Sequence, residues 1–428
     1  MKTPIHDFLV SYCAEKPVRC HMPGGKKTPF DITEIEGADS LFESDGIIKQ
    51  SEMNAAGLFG AGKTLFSCGG STLAVQTMLA SVKALYPEKS RVAASRYCHK
   101  SLISSCVLLG LEIDWIKPED FLSCNIDSEA VKEKINKDTL CVFIQSIDYY
   151  GGECDIEKIS VVCKKKNVPL LTDNAHGAYL VFTGNHPLKR GADMTADSAH
   201  KTLPCLTGGA YLHISENAPE ELFGIGKTMM SLFGSSSPSY LILDSLDLCN
   251  DFISEEKEKA EIVFSEIQNL KSELKRAGYI LKKSDMMRIT IDACQYGYSG
   301  FELNKEFKKR HIVCEYCDSR YLVLLFSAAQ PLSDFPKILK AALSIPEKTK
   351  KQCREAFFFI PPIALKPWKA VFSPYEIIPV DMAAKRICGG IICPCPPCVP
   401  LIMPGEVFTD DIVYALKSYG VNKVKAVK

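Results

Sequence analysis

The sequence lacks an excess of charge of either sign. Lys and Arg together number 51, and Asp and Glu also number 51, so the formal net charge at pH 7 is zero. Proteins that bind nucleic acid or an acidic membrane surface usually carry a marked excess of basic residues. The charge balance therefore predicts neither a nucleic-acid partner nor a membrane partner.

Long hydrophobic runs are lacking as well. Apolar stretches such as CVFI at 141–144 have the length of a buried strand, whereas a membrane-spanning helix needs about 20 apolar residues. The first residues, MKTPIHDFLVSYC, do not combine a basic segment with a long apolar one, as a secretory signal peptide does. We therefore expect a cytoplasmic protein.

Cysteine, by contrast, is abundant, with 19 residues. The odd number and the scattered positions do not resemble a disulfide framework, so we expect reduced and mostly buried thiols. Four that lie in apolar segments are Cys68, Cys106, Cys141 and Cys163.

The segment CPCPPC is the exception, because it brings Cys393, Cys395 and Cys398 close together in the sequence. Three thiolates could bind a soft metal ion, but a structural site needs a fourth ligand. A packed loop is the favoured interpretation, and no metal is predicted.

Helical and strand-like segments alternate between about residues 45 and 215. The segment 71–86 has helical spacing, and its apolar face consists of Val75, Met78, Leu79, Val82 and Leu85. RVAAS at 91–95 and VPLLTD at 168–173 are typical of buried strands. Such alternation predicts a mainly parallel sheet with helices on both faces, where ligands bind beyond the carboxyl ends of the strands. Residues 68–72, 173–176 and 197–201 follow such ends.

The pattern changes after residue 240. One long amphipathic helix is predicted over 252–278, followed by strands in MMRITID and YLVLLFS. These elements predict a smaller α+β layer. The expected organisation is therefore an α/β large domain with an N-terminal arm, residues 1–285, and a small C-terminal domain, residues 286–428.

Residues 57–64, GLFGAGKT, match the phosphate-binding pattern G-x-x-x-x-G-K-[ST]. A functional loop of this kind follows a strand and begins a helix, so that the helix N-terminus faces the phosphates. Here the preceding segment is helix-like and the following one, TLFSC, is strand-like. A turn from helix to strand is favoured, and nucleotide binding through Lys63 remains the less favoured alternative.

A second set of residues predicts cofactor chemistry. Asp173 ends an apolar strand, and Lys201 lies in DSAHKTLP just after another. Pyridoxal phosphate chemistry requires a lysine that forms a Schiff base and an acid that pairs with the pyridine nitrogen. CGGST adds Gly70, Ser71 and Thr72 at a helix start, where backbone N–H groups and hydroxyls could hold the phosphate.

In this order the motifs resemble the ornithine/lysine/arginine decarboxylase family of fold-type I pyridoxal phosphate enzymes. HMPGGKK, SRYCHKS, DYYGGECDIEKI, SSSPSYLILDSLD and CPPCVPLIMPGE are each similar to a family motif, and the likeness runs nearly end to end. The chain resembles a short form without the N-terminal response-regulator-like domain of larger members. At Asn174 it departs from the commoner D-E-A-H.

The resemblance implies the roles of individual residues. Lys201 would form the Schiff base, Asp173 would keep the ring nitrogen protonated, and His99 would stack on the ring. Glu406 would meet the distal cation of the substrate. The remaining cofactor-binding positions that it implies are Gly70, Ser71, Thr72, His176, Ser198, His200 and Ser235.

The resemblance also implies the activity, which is decarboxylation of lysine, arginine or ornithine to the amine and CO₂. Ser235 would reach the phosphate of the neighbouring subunit, which implies a homodimer with shared active sites. An aminotransferase, or another lyase acting at Cα or the side chain, is the alternative that keeps pyridoxal phosphate but changes the reaction. Which basic amino acid is the substrate stays open.

Overall fold

The computed structural model describes residues 1–118, 120, 123–352, 360–394 and 399–428. Four short 3₁₀ helices lie at Ala178–Phe182, Pro187–Arg190, Ala293–Tyr296 and Val380–Met382. The α-helices of this part of the chain are α1 (Pro4–Ala14), α2 (Ile47–Phe59), α3 (Gly70–Leu85), α4 (Lys100–Leu108), α5 (Ser128–Lys134), α6 (Ile156–Lys165), α7 (Ala199–Thr202), α8 (Glu221–Ser231), α9 (Tyr240–Glu255), α10 (Lys257–Arg276), α11 (Gly300–Lys309), α12 (Asp334–Leu343), α13 (Pro367–Phe372) and α14 (Asp410–Ser418).

The strands alternate with these helices in the first half of the chain and cluster in the second half. They are β1 (Lys63–Ser67), β2 (Arg91–Ser95), β3 (Glu112–Ile116), β4 (Thr139–Gln145), β5 (Leu170–Asp173), β6 (Met194–Asp197), β7 (Ala210–Ile214), β8 (Leu281–Lys282), β9 (Arg288–Asp292), β10 (Tyr316–Cys317), β11 (Tyr321–Leu325), β12 (Tyr375–Pro379) and β13 (Lys423–Val427).

The chain divides into two compact units that interleave along the sequence. The first unit comprises Met1–Pro87, Ile156–Ile262 and Ser327–Ala329. Its strands lie in the order β1-β7-β6-β5, with β5 and β6 parallel and β7 antiparallel to both β6 and β1. Every residue of β5, β6 and β7 is buried, as expected for a sheet covered on both faces.

The second unit comprises Glu88–Asp155, Val263–Phe326 and Gln330–Lys428. It contains the parallel strands β4-β2-β3, an antiparallel sheet in the order β10-β11-β9-β8, and the antiparallel pair β12-β13. The predicted α/β class is confirmed, with parallel strands in both units. The predicted domain boundary between residues 285 and 286 stays a prediction.

One predicted element was wrong. The single helix expected over 252–278 is two helices, because Glu256 leaves the helical conformation with φ −113° and ψ 23°. Its N–H still bonds to the carbonyl of Phe252, closing α9, and α10 begins at the next residue. The charged sequence around this break contains neither glycine nor proline, so nothing in it marked the end of a helix.

The GLFGAGKT segment has the predicted turn geometry. Gly60 ends α2 in the left-handed conformation with φ 64°, which is typical of a helix C-cap, and Lys63 begins β1. The Lys63 Nζ donates to the carbonyl of Phe223 at 2.6 Å. The motif lies at a helix end and a strand start, the reverse of a nucleotide-binding loop. The nucleotide-binding alternative is therefore wrong.

In the part of the chain that the structure describes, no helix is both long and apolar enough to cross a bilayer.

Candidate active site

The first unit brings several of the predicted residues together at the ends of β5 and β6. Asp173 is the last residue of β5 and is buried. Its Oδ1 accepts the backbone N–H of Ala175 at 3.0 Å. Burial raises the pKa of Asp173 above its usual value, and the nearby Lys201 ammonium opposes that shift. Asp173 therefore ends a buried strand, as the sequence predicted, and its role at the cofactor stays a prediction.

Lys201 lies on α7, the short helix that follows β6. Its Nζ is 3.2 Å from Nε2 of His176, which belongs to the turn after Asp173. A hydrogen bond at this distance allows proton exchange between the amine and the imidazole. The structure therefore joins Lys201 and His176 directly, beside the buried Asp173.

The predicted phosphate cradle forms the start of α3. Gly70 has φ 67°, a conformation that favours glycine. No side chain of the described residues caps this helix N-terminus, which leaves N–H groups suited to an anion. The hydroxyl of Ser198 donates to the hydroxyl of Ser71 at 2.8 Å. The cradle and the segment that carries Lys201 are thus linked by two of the predicted hydroxyls.

Thr72, His200 and Ser235 also lie in the first unit. Thr72 is exposed in the first turn of α3. Nδ1 of His200 donates to the carbonyl of Gly209 at 2.9 Å, and burial lowers the pKa of His200. Ser235 is exposed between α8 and α9, where its Oγ accepts the N–H of Ser237 at 3.2 Å. Their cofactor-binding roles stay predictions.

His99 lies in the second unit as the N-cap of α4. Its Nδ1 accepts the N–H of Ser101 at 3.2 Å and lies 2.9 Å from the Ser101 hydroxyl. Acceptance at Nδ1 places the proton of the neutral ring on Nε2. The cap therefore fixes both the ring orientation and the tautomer of His99. Its predicted stacking on the cofactor stays a prediction.

Glu406 has a partner that the sequence did not indicate. Its two oxygens accept from the two terminal nitrogens of Arg96, at 2.7 and 3.0 Å, and one also accepts the N–H of Met403 at 2.8 Å. Both side chains are fully buried within the second unit. This pairing engages the whole carboxylate, so it does not support the predicted role of Glu406 as a counter-ion for the substrate. Arg96 belongs to SRYCHKS. Its opposite charge, in another motif of the same family, is the feature of the sequence that could have indicated this pair.

A second group that the sequence did not reveal is the Asp197 cluster, defined as Asn174, His186 and Asp197. The Oδ2 of Asp197 accepts from Asn174 Nδ2 at 2.7 Å and from His186 Nε2 at 2.9 Å. Although burial raises the pKa of Asp197, its interactions with His186 and the hydrogen bond from Asn174 bring the pKa below its usual value. The three side chains are buried. Along the chain, Asn174 of this cluster directly follows Asp173, and Asp197 directly precedes Ser198.

The Asp197 cluster also has the composition of a metal site. The possible ligand atoms of His186, Asp197 and the neighbouring His213 lie within 4.8 Å of one another. However, Nδ1 of His186 accepts the N–H of Leu188 at 3.4 Å, which places the ring proton on Nε2 and directs it to Asp197. Because a metal needs the lone pair at that nitrogen, a hydrogen-bond network fits these residues better. Cys393 lies in the described chain, whereas Cys395 and Cys398 lie outside the described residues.

The residues of the first unit fit pyridoxal phosphate. The uncapped start of α3 offers N–H groups for the phosphate, Lys201 offers an amine beside His176, and buried Asp173 offers an acid. These are the three groups that the cofactor requires of a protein.

Comparison with known proteins agrees with this fit. Residues 3–294 match the family model "Orn/Lys/Arg decarboxylase, major domain", and residues 350–419 match "Orn/Lys/Arg decarboxylase, C-terminal domain". An arginine decarboxylase of Bacillus subtilis (strain 168) is 26% identical over 97% of this chain and 94% of its own length. An uncharacterized protein of the same organism, YaaO, is 27% identical over 97% and 94%.

Solved structures show the same fold. Lysine decarboxylase A from Pseudomonas aeruginosa superposes with a TM-score of 0.84 at 17% identity, covering 99% of this chain and 80% of that one. The constitutive lysine decarboxylase of E. coli gives 0.79 at 17% identity, covering 100% and 82%. A NifS-like protein gives 0.57 at 15% identity, covering 80% and 95%. The chain therefore belongs to the Orn/Lys/Arg decarboxylase family of pyridoxal phosphate-dependent amino acid decarboxylases.

Proposed function

We propose that the chain decarboxylates arginine, with pyridoxal phosphate held through a Schiff base to Lys201. The observation that carries the assignment of Lys201 is its 3.2 Å contact with His176 beside buried Asp173. Arginine is the first of the three basic amino acids to test, because relatives that match over more than nine-tenths of both chains are named arginine decarboxylases.

His176 prepares the lysine for its role. A lysine must lose a proton before its amine acts as a nucleophile, and Nε2 of His176 lies at hydrogen-bond distance from Nζ. The imidazole takes that proton and can return it when the amine product leaves. Lys201 and His176 therefore form the acid–base pair of the proposed site.

Asp173 supplies the negative charge of the site. When bound, pyridoxal phosphate supplies a ring that takes up the electrons left at Cα as CO₂ departs. Asp173 would hold a proton on the ring nitrogen by remaining ionised. Before the cofactor binds, the Lys201 ammonium favours that ionised form against the effect of burial. The start of α3, with Ser71 and Ser198, binds the phosphate and fixes its orientation.

The direct test of this proposal has two parts. Borohydride reduction followed by peptide mass spectrometry should place the cofactor on the peptide that contains Lys201, and attachment at another lysine would contradict the assignment. Incubation of the wild-type protein with arginine, lysine and ornithine separately should release CO₂ and agmatine from arginine at the highest kcat/KM. A keto acid as product would instead indicate an aminotransferase.

We also propose a homodimer in which Ser235 completes the neighbouring site. Its exposed position between α8 and α9 supports this. Co-expression of Lys201→Ala with Ser235→Asp, each inactive alone, should restore activity, because one site of the mixed dimer regains both native residues. Lack of restoration, or a monomeric mass by light scattering, would contradict a shared site.

A further inference from the structure

The Asp197 cluster joins the two strand ends that carry the proposed catalytic residues. Strands β5 and β6 are parallel and pair Asp173 with Ala196. One residue further, the N–H of Asn174 donates to the carbonyl of Ala196 at 2.9 Å. The side-chain bond from Asn174 to Asp197 therefore continues the ladder beyond the last paired residues, where the chain leaves the sheet.

The turn after Asp173 is built around the side chain of Asn174. The N–H of Gly177 donates to the backbone carbonyl of Asn174 at 2.8 Å. A Cβ at Gly177 would collide with the side-chain Oδ1 of Asn174. The turn that presents His176 to Lys201 is thus closed on Asn174, which is itself held by Asp197. Any movement of Asp197 is expected to move this turn.

Along the chain, Asp197 directly precedes the segment that carries Lys201. Asp197 ends β6, Ser198 follows it with its bond to Ser71, and α7 carries Lys201. His186 supplies the second bond to the same carboxylate oxygen. Asn174, which follows β5, and His186, the N-cap of the 3₁₀ helix Pro187–Arg190, thereby hold the carboxylate of the residue that precedes the Lys201 segment.

We propose that Asp197 is a positioning residue of the catalytic site. Its carboxylate ties the turn after Asp173 to the segment that carries Lys201, and so sets the distance between the acid and the amine. This inference rests on the proposed roles of Lys201 and Asp173. It assigns Asp197 no contact with substrate or cofactor.

The test compares four variants of the whole protein. Asp197→Ala removes the acceptor and the charge, Asp197→Asn removes the charge and keeps an acceptor oxygen, and Asn174→Ala removes one donor. Asp247→Asn is the matched control, since Asp247 is an equally buried carboxylate of the first unit. Its bonding partners Ile5, His6 and Ser51 lie on α1 and α2.

The measurements are the affinity of apoprotein for pyridoxal phosphate, the pH profile of the visible absorbance, and kcat and KM. Asp197→Ala and Asn174→Ala should lower cofactor affinity and kcat by about 10- to 100-fold, the scale of losing a group that orients a functional ligand, with little change in KM. Asp197→Asn should shift the absorbance profile to lower pH, because removing a nearby negative charge lowers the pKa of its neighbours. Asp247→Asn should change the melting temperature alone.

Several outcomes would overturn the inference. Variants at Asp197 that behave like Asp247→Asn, with melting temperature as the only change, would show a scaffold role. One equivalent of transition metal per chain in the wild type, lost in His213→Gln, would show a metal site instead. A wild type that binds pyridoxal phosphate but releases no CO₂ refutes the proposed function alone, since affinity and pH profile still decide the role of Asp197. A wild type that binds no pyridoxal phosphate refutes both.

Discussion

Two buried carboxylates, Asp197 in the first unit and Glu406 in the second, are held in different ways. Glu406 receives two bonds from the Arg96 guanidinium and one from a backbone N–H. Asp197 receives its bonds from an amide and an imidazole, both at the same oxygen, and its Oδ1 has no hydrogen-bond partner among the described residues. One charge is matched by a permanent cation, whereas the other is not.

This difference in counter-ions distinguishes a carboxylate paired within the fold from one that lies close to the proposed catalytic residues. An arginine side chain carries a permanent positive charge, so the Glu406 carboxylate has a fixed counter-ion in Arg96. Asp197 has no such permanent cation beside it, and its negative charge contributes to the raised pKa of Asp173. Asp197 therefore influences the protonation of a residue of the proposed site.

The largest stability effect is expected from breaking the Arg96–Glu406 pair. Arg96→Leu leaves an unpaired buried carboxylate and should lower the free energy of unfolding by about 3–5 kcal/mol. The double variant Arg96→Leu/Glu406→Leu should recover much of that loss, because no buried charge then remains without a partner. Urea denaturation measures both values.

A single variant that loses less than about 1 kcal/mol, the scale of an exposed pair, would show that Glu406 is not held as described. Glu406 would then again be available as a substrate counter-ion. The Arg96 variant therefore tests whether the Glu406 carboxylate is held by Arg96.

His213, next to the Asp197 cluster, should give a smaller, pH-dependent effect. Burial lowers its pKa to about 3, whereas an unfolded histidine titrates near 6.5. The unfolded chain therefore binds a proton first as the pH falls, so stability is complete above about 6.5 and declines towards 3, by up to about 1.4 kcal/mol per pH unit.

The conservative variant His213→Gln removes this titration. The difference in unfolding free energy between wild type and variant should shrink as the pH falls from 7 to 4. A difference that stays constant over this range would show that His213 is not neutral in the folded protein.

Asp247 extends the comparison to a carboxylate whose partners carry no charge. Burial raises its pKa to about 6, above the value near 3.9 of an unfolded aspartate. The folded state therefore holds the proton longer, and the stabilising contribution is complete below about 4 and lost as the pH rises through 6. Relative to Asp247→Asn, the wild type should lose stability over that window, over a narrower range than for His213. Parallel stability curves would contradict the assignment.

Local patterns predicted the elements that hold the proposed site. The strand predicted at 91–95 is β2, residue for residue, and the helix predicted at 71–86 begins one residue earlier as α3. Alternation and helical spacing are local properties, so the sequence alone carries them. The glycine-rich turn before α3 and the ends of β5 and β6 could be predicted for the same reason.

The charge partners could not be predicted in this way. Arg96 and Glu406 are 310 residues apart, and Asp197 meets Asn174 only because β6 lies beside β5. Strand order is a property of the whole fold, and polar residues at strand ends have many conceivable partners. The sequence therefore predicted a substrate role for Glu406 and gave no indication of its contact with Arg96.

The smallest effect is expected at Lys63, the lysine of GLFGAGKT. It is half-buried, burial lowers its pKa, and its Nζ donates to the Phe223 carbonyl. Lys63→Ala should cost about 1 kcal/mol of stability, the value of one such bond, with cofactor content and kcat unchanged, as measured by visible absorbance and CO₂ release. Loss of activity without loss of stability would mean that this lysine acts at the site. Lys201→Ala, by contrast, should abolish covalent cofactor attachment. Comparing the Lys63 and Lys201 variants therefore distinguishes a lysine that only matches a phosphate-binding pattern from the lysine that lies beside a buried acid and an imidazole.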